Sequence, residues 1–374
     1  MLRHNDGLRS AVSILLTLPL LAQQGSWRTE VDRRKAAGDA AGALAVIEKA
    51  PPSLATEHEK GFLKAVLGRR AEAVEHFRKA LQLSPGYAPA HFHLGVALWL
   101  ENDRGAALGA VRRAAALAPQ EESYQYRLGQ AAQELGLPDE AIAAYRRCTS
   151  IDARNRLAFL LIDMGRADEG LAAAWRVLQQ DARNLPALSN VGFAYLQKNE
   201  ATKAVEAYGK AALANPQSAA AQYNLGLAYK QNDDLDAAKK HLLRAIELDG
   251  KLVEAYHTLG VTLWQSGEFE KAAQRFFSAV LLDPNYADAW AMYGTVLRQE
   301  GRLREAEEAL RRAIELKPAD PGSYGQLAQV LRTQGRTAES KAMFSEAAAR
   351  KAQKEASQKA MFDRGTQLRP KAVR

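Results

Sequence analysis

Seven histidines, one cysteine and a few paired acids are what this chain offers for nucleophilic, acid–base or metal chemistry. His91 and His93 form an HxH, but residues two apart on a helix point to different sides, so they do not read as a chelating pair. His76 and His241 read as solvated residues at the edge of a helix. Asp233-Asp234 and Glu307-Glu308 fall in a turn and on an outer helix face, where carboxylates are solvated rather than catalytic. There is no GxxxxGK[ST] phosphate loop, no GxSxG elbow and no HExxH metal pair. Cys148 stands alone, so no internal disulfide is possible, and it reads as a small packed hydrophobe. No catalytic residue, cofactor or metal is expected, and the chain does not read as an enzyme.

A second group has chemistry of another kind. Phe92, His93, Trp99, Tyr126, Arg127, Phe159, Asn190, Phe193, Tyr223, Asn224, His257 and Trp264 recur at matched places along the chain. Aromatic faces and side-chain amides suit the binding of a peptide, because an amide pairs with a peptide backbone while an aromatic ring buries its side chains. Asn190 and Asn224 are 34 residues apart. In a stack of that period they would form a two-rung ladder, extended by Gln130, Gln197, Gln231, Gln265, Gln299 and Gln329.

The elements that must position these side chains are set by Val253–Tyr286, VEAYHTLGVTLWQSGEFEKAAQRFFSAVLLDPNY. Numbering Val253 as position 1, Tyr256, Leu259, Gly260 and Leu263 fall on one stripe of a first helix. Ala272, Phe276 and Ala279 do the same on a second. The glycine at position 8 and the alanine at position 20 let two backbones approach, and Gly267 at position 15 ends the first helix in a left-handed conformation. Ten residues mark that same turn: Gly38, Gly68, Asn102, Gly136, Gly165, Asn199, Asp233, Gly267, Gly301 and Gly335. Seven of the nine intervals between them are 34; the others are 30 and 29.

This pattern resembles the tetratricopeptide repeat, a 34-residue helix–turn–helix. The resemblance covers residues 24–350 and implies an all-α fold, a right-handed α-solenoid of about ten repeats. The repeats fall near 24–53, 54–87, 88–121, 122–150, 151–184, 185–218, 219–252, 253–286, 287–320 and 321–350, inside an array spanning 23–350. In this family the first helix of each pair lines the concave face through positions 2, 5, 6, 9, 12 and 13. The twelve residues named above occupy those positions. The stripe at 4, 7, 8 and 11 already serves packing, so His257, Trp264 and their equivalents are expected in a ligand groove. The carboxylate clamp of chaperone-binding members is not matched: Arg28 pairs with Asp32 at the clamp positions, and His58 with Phe62. Members that are enzymes carry a separate catalytic domain, and the array leaves no segment for one.

Three places depart from the period. The first repeat carries Glu30 and Val31 at positions 7 and 8 and stops at Pro51-Pro52. Five residues are missing between Gly136 and Gly165, so the first helix of the fifth repeat is expected to contract to near Arg156–Met164. No Gly or Pro interrupts Thr337–Arg364, so the last helix is expected to overrun, with Ala356 and Ala360 as a thin stripe capping the stack and 365–374 disordered.

The net charge is +8, of which 348–374 contribute +6 and the array +1. At the other end, Arg3 and Arg9 precede the apolar run Ala11–Ala22, which reads as a signal peptide cleaved near Ala22. Its 12 residues are too few to span a bilayer of ~30 Å. The sequence therefore predicts a periplasmic or secreted, non-catalytic scaffold that binds a protein or an extended peptide, with self-association open to it. Nucleic acid is not the expected partner. The alternative is that the basic segment 351–374 docks the protein to an anionic membrane or nucleic acid, with the array as a spacer.

Overall fold

All ten of the turn residues named above adopt a positive φ, from 58° at Asn199 to 78° at Gly68, Gly267 and Gly335. Each ends one helix and turns the chain into its antiparallel partner, which is the geometry a left-handed residue at a helix C-terminus imposes. The computed structural model describes residues 27–367. The predicted signal peptide lies outside them, as do 368–374.

The chain divides after Ala153 into two compact bodies. The first holds α1 (Trp27–Ala36), α2 (Ala40–Ile47), α3 (Leu54–Val66), α4 (Arg70–Leu83), α5 (Ala88–Leu100), α6 (Arg104–Leu117), α7 (Glu122–Glu134) and α8 (Pro138–Tyr145). The second begins within α9 (Ile151–Asp163). It continues through α10 (Ala167–Leu178), α11 (Leu185–Gln197), α12 (Ala201–Ala214), α13 (Ala219–Gln231) and α14 (Leu235–Leu248). Then come α15 (Val253–Gln265), α16 (Phe269–Leu282), α17 (Ala287–Gln299), α18 (Leu303–Leu316), α19 (Pro321–Thr333) and α20 (Thr337–Gln367). Every described element is a helix, and each packs on the next, so each body is an α-solenoid of antiparallel pairs. Within the second body, first helices also touch first helices of the next pair (α11 with α13, α13 with α15, α15 with α17, α17 with α19). They therefore lie on the inner side of the stack.

The pairs lock through one contact. A Cβ added to the glycine at position 8 would meet the side chain at position 24: Gly61 against Phe77 at 2.8 Å, Gly129 against Tyr145 at 2.5 Å, Gly192 against Tyr208 at 2.6 Å and Gly260 against Phe276 at 2.8 Å. Phe77, Tyr145 and Phe276 are fully buried there, each worth about 1.5–3 kcal/mol of transfer free energy. The fifth repeat inverts the arrangement. Position 8 is Ala158, position 24 shrinks to Ala174, and the glycine moves across to Gly170, where a Cβ would lie 2.4 Å from Ile162.

Successive pairs are tied by a second recurrent bond. The side chain at position 4 donates to the carbonyl six residues earlier: His91 to Pro85 (2.9 Å), Gln125 to Pro119 (3.3 Å), Gln222 to Pro216 (3.5 Å), Tyr256 to Gly250 (3.3 Å) and Trp290 to Pro284 (3.0 Å). This satisfies a carbonyl that the linking turn would otherwise leave without a partner.

Two expectations are corrected. The first helix of the fifth repeat, α9, has its full 13 residues; the deletion falls in α8, which has 8. The Glu122 carboxylate holds the shortened link by accepting Ser150 N–H and Thr149 Oγ, both at 2.7 Å. Burial pushes that carboxyl up, but the donors outweigh it and bring the pKa down to about 2. At the other end, α20 overruns as expected, to 31 residues, but it continues through Gly365 to Gln367. Ala356 is exposed on it rather than capping the stack. No described helix is long and apolar enough to cross a membrane.

Candidate functional site

Most of the aromatic and amide side chains on the first helices are spent on the neighbouring helix. Asn190 is buried, and its Nδ2 donates to Asn155 O at 2.9 Å, so its amide is not open to a peptide. Asn224 is half-buried and has no hydrogen-bond partner among the described residues. The ladder thus has one free rung. The Tyr223 hydroxyl sits 3.4 Å from Thr258 Oγ1, a long contact to the next first helix. Trp264 Nε1 donates to Gln299 Oε1 at 2.8 Å. Gln231 Nε2 is likewise turned to Leu196 O at 3.2 Å.

His257 also packs rather than faces a groove. Its ring lies 5.6 Å from Phe276 and 5.1 Å from Tyr286, burial lowers its pKa, and Nε2 is buried without a partner. His58 meets Phe77 and Tyr87 in the same way, at 5.8 and 5.2 Å. Position 5 is therefore walled by positions 24 and 34 of its own repeat. The expectation that His257 and Trp264 are unneeded for packing is corrected.

In the first body, Trp99 is 9% exposed, with the guanidinium groups of Arg104 and Arg127 at 4.2 and 5.1 Å from its ring. Arg127 is half-buried, and burial lowers its pKa. Tyr126 lies 6.0 Å from Tyr145, and Phe92 stacks on Tyr124 at 4.6 Å. His93 Nδ1 is 2.8 Å from His58 Nε2, a contact with no counterpart among the expectations. His91, its HxH neighbour, is turned to Pro85 instead.

Phe159 is different: it is 44% exposed, and its ring stacks on Phe193 at 5.9 Å and 23°. Both stand at position 9, one repeat apart, on the inner side of the second body. An open aromatic pair on a rigid helix is a ready anchor for an apolar side chain. The strongest concavity elsewhere, about 740 Å³ near Gly267, Phe269 and Arg302, lies among turn residues away from these side chains.

His76 and His241, expected to be solvated, are turned inward. His76 Nδ1 lies 2.8 Å from Glu57 Oε2 and His241 Nδ1 2.8 Å from Gln222 Oε1, in each case bridging position 23 to position 4. Cys148 packs as expected: it is 6% exposed, and burial raises the thiol to about 11.

Sequence profiles described as the tetratricopeptide repeat match residues 63–122, 122–155, 185–218, 219–252, 257–321 and 297–361. The chain belongs to the tetratricopeptide repeat family. Among solved structures it is similar to MamA, at 26% identity over 44% of this chain and 97% of that one, with a TM-score of 0.42. It is also similar to YrrB, described as a TPR protein with an unusual peptide-binding site, at 25% identity over 46% and 90%, TM-score 0.39. MamA of Desulfovibrio magneticus RS-1 is 19% identical over 44% and 96%, TM-score 0.40. No curated protein matches in sequence.

Within this tetratricopeptide repeat chain one signal in the sequence would have located the spent side chains. Residues 35 apart on successive first helices touch: His58 and His93, Asn155 and Asn190, Leu196 and Gln231, Tyr223 and Thr258, Trp264 and Gln299. A polar pair at that spacing satisfies itself and is withdrawn from the groove.

Proposed function

We propose that the protein is a non-catalytic scaffold that binds another protein or an extended peptide along the inner, first-helix face. The observation that carries this reading is the Phe159–Phe193 pair, stacked at 5.9 Å with Phe159 44% exposed. An aromatic pair left open on the inner face of a stack whose core is otherwise closed offers contact area without conformational cost. Asn224, with an unengaged amide, supplies a backbone-pairing group on the same side. Proteins co-purifying with the full chain should be lost from a Phe159→Ala/Phe193→Ala variant and weakened by Tyr223→Ala/Asn224→Ala. If every partner stays bound to both, the inner face is not the binding surface.

The signal-like run Ala11–Ala22 supports a location in the cell envelope, tested by sequencing the N-terminus of the exported chain. A second reading is favoured by α20, whose extension exposes Lys351, Lys354 and Lys359. In it, this basic segment docks to anionic lipid or nucleic acid. Deleting 351–374 should then abolish retention on anionic vesicles or nucleic acid at low salt; unchanged retention dismisses it.

A further inference from the structure

His58 and His93 form a connected pair whose proton positions follow from their surroundings. The rings stack at 5.0 Å and 28°, with His58 Nε2 2.8 Å from His93 Nδ1. The Pro89 carbonyl hydrogen-bonds the His58 ring. A carbonyl only accepts, and His58 Nε2 is engaged by His93, so the His58 proton sits on Nδ1. A neutral imidazole carries one proton, which leaves His58 Nε2 as an acceptor. His93 Nδ1 must therefore donate to it, and His93 Nε2 is left bare. It has no partner among the described residues, and the His93 ring is half-buried, at position 6 of a first helix.

The surroundings keep both rings neutral. Burial is the main cause, lowering His58 to about 4 and His93 to about 3; the Lys35 charge opposes protonation of both, and the rings oppose each other. Lys35 itself pairs with Glu59 at 2.6 Å and lies 5.2 Å from the Phe62 ring. Tyr87 meets His58 edge-on, and Phe62, Phe77 and Phe92 lie 5.7, 5.7 and 5.4 Å from His93. A neutral acceptor walled by aromatic rings suits an N–H donor beside an apolar group and gives a carboxylate or phosphate nothing to bond.

We propose that His58 is a positioning residue which fixes the tautomer of His93, so that His93 Nε2 presents a permanent hydrogen-bond acceptor to the N–H of a peptide-type amide. This deepens the binding reading and rests on it for the identity of the ligand, but not for the tautomer. His257 is the internal contrast. It stands in the same aromatic surroundings, but the residue 35 positions on is Met292, which can neither fix nor be fixed, and His257 Nε2 has no partner.

The test uses the full chain labelled with ¹⁵N-histidine, reading two-bond ¹H–¹⁵N correlations at neutral pH. The seven histidines are assigned by single substitution. Both His58 and His93 should show a protonated Nδ1 and a bare Nε2. Titration with N-methylacetamide should shift His93 Nε2, and N,N-dimethylacetamide, with the same carbonyl and no N–H, should not. His58→Phe is tolerated in principle, because Phe92, Tyr126 and Tyr223 occupy the same repeat position. With its fold checked by circular dichroism, it should give His93 mixed tautomers and at least halve its response. A protonated His93 Nε2 in the native chain overturns the proposal. So does an equal or absent response to the two amides, or a His93 unchanged by His58→Phe. Because the tautomer is read without a partner, loss of the groove reading would leave that measurement standing.

Discussion

Asn190 Nδ2 reaches back 35 residues to donate to Asn155 O at 2.9 Å, joining two successive first helices. Asn224, one repeat later at the same position, makes no such bond. Identical residues at identical places in the period thus do different work. Asn190→Ala should cost about 1 kcal/mol in urea unfolding, the usual net worth of a buried hydrogen bond. Asn224→Ala should stay within about 0.5 kcal/mol. Equal losses would mean that the bond contributes nothing to stability.

Glycines in this chain divide by what a methyl would meet. Gly95→Ala places a Cβ 2.5 Å from Val111 Cγ2 and 3.1 Å from the Ala107 carbonyl, which as backbone cannot move aside. Overpacking of this kind costs about 1–3 kcal/mol. Gly109 is exposed in α6 with nothing within 4 Å of an added Cβ. Gly109→Ala should stabilise by about 0.5–1 kcal/mol through helix propensity. Thermal melts of the two variants should move in opposite directions.

Two aromatic residues from the same set should separate stability from binding. Phe159→Ala removes a ring that is 44% exposed and should change stability by about 0.5 kcal/mol or less while lowering partner retention. Trp99→Ala empties a buried site between two guanidinium groups and should cost roughly 3–5 kcal/mol. Chemical denaturation with a parallel pull-down reads both.

Acidification gives a signed prediction. His58 and His93 are lowered from 6.5 to about 4 and about 3. Between pH 6.5 and 4 the unfolded chain binds protons that the folded chain refuses, so stability falls as pH falls through that window. Above pH 6.5 both states are neutral and the contribution is level. His58→Phe/His93→Phe should flatten the slope of stability against pH there. His241 and His257, also lowered by burial, supply what slope remains. An unchanged slope would show that the pair protonates freely.

In α3 the packing stripe carries Glu57, Lys60 and Lys64, each 6–8% exposed, where other repeats have apolar residues. Glu57 accepts from His76 at 2.8 Å and lies 3.6 Å from Lys60; Lys64 bonds Glu72 at 2.6 Å. Glu57→Ala strands a buried ammonium and should cost about 3–5 kcal/mol. Glu57→Met/Lys60→Leu together should come close to neutral. The sequence alone registers these three as charged residues at stripe positions; their burial comes from α2 and α4 closing over them.

The repeat itself was legible because its determinants are local. A left-handed turn needs Gly, Asn or Asp, and a close helix crossing needs a small residue at position 8 or 20. Where the period broke, the reading placed the deletion in the wrong helix. Gly136 and Gly165 fix the length of the segment but not which of its two helices gives up residues. That was decided by Glu122 drawing in Thr149 and Ser150, 27 and 28 residues away.

By itself, then, the sequence determined an all-helical stack with its turns and its small-against-large contacts, since each depends on residues within one 34-residue pair. Only the tertiary structure decided which first-helix side chains stay open. Whether Asn190, His93, His257 or Trp264 faces a ligand depends on what the neighbouring helix presents 35 residues away or across the pair, and that depends on how the helices cross. Phe159 is open, stacked on Phe193 but covered by nothing.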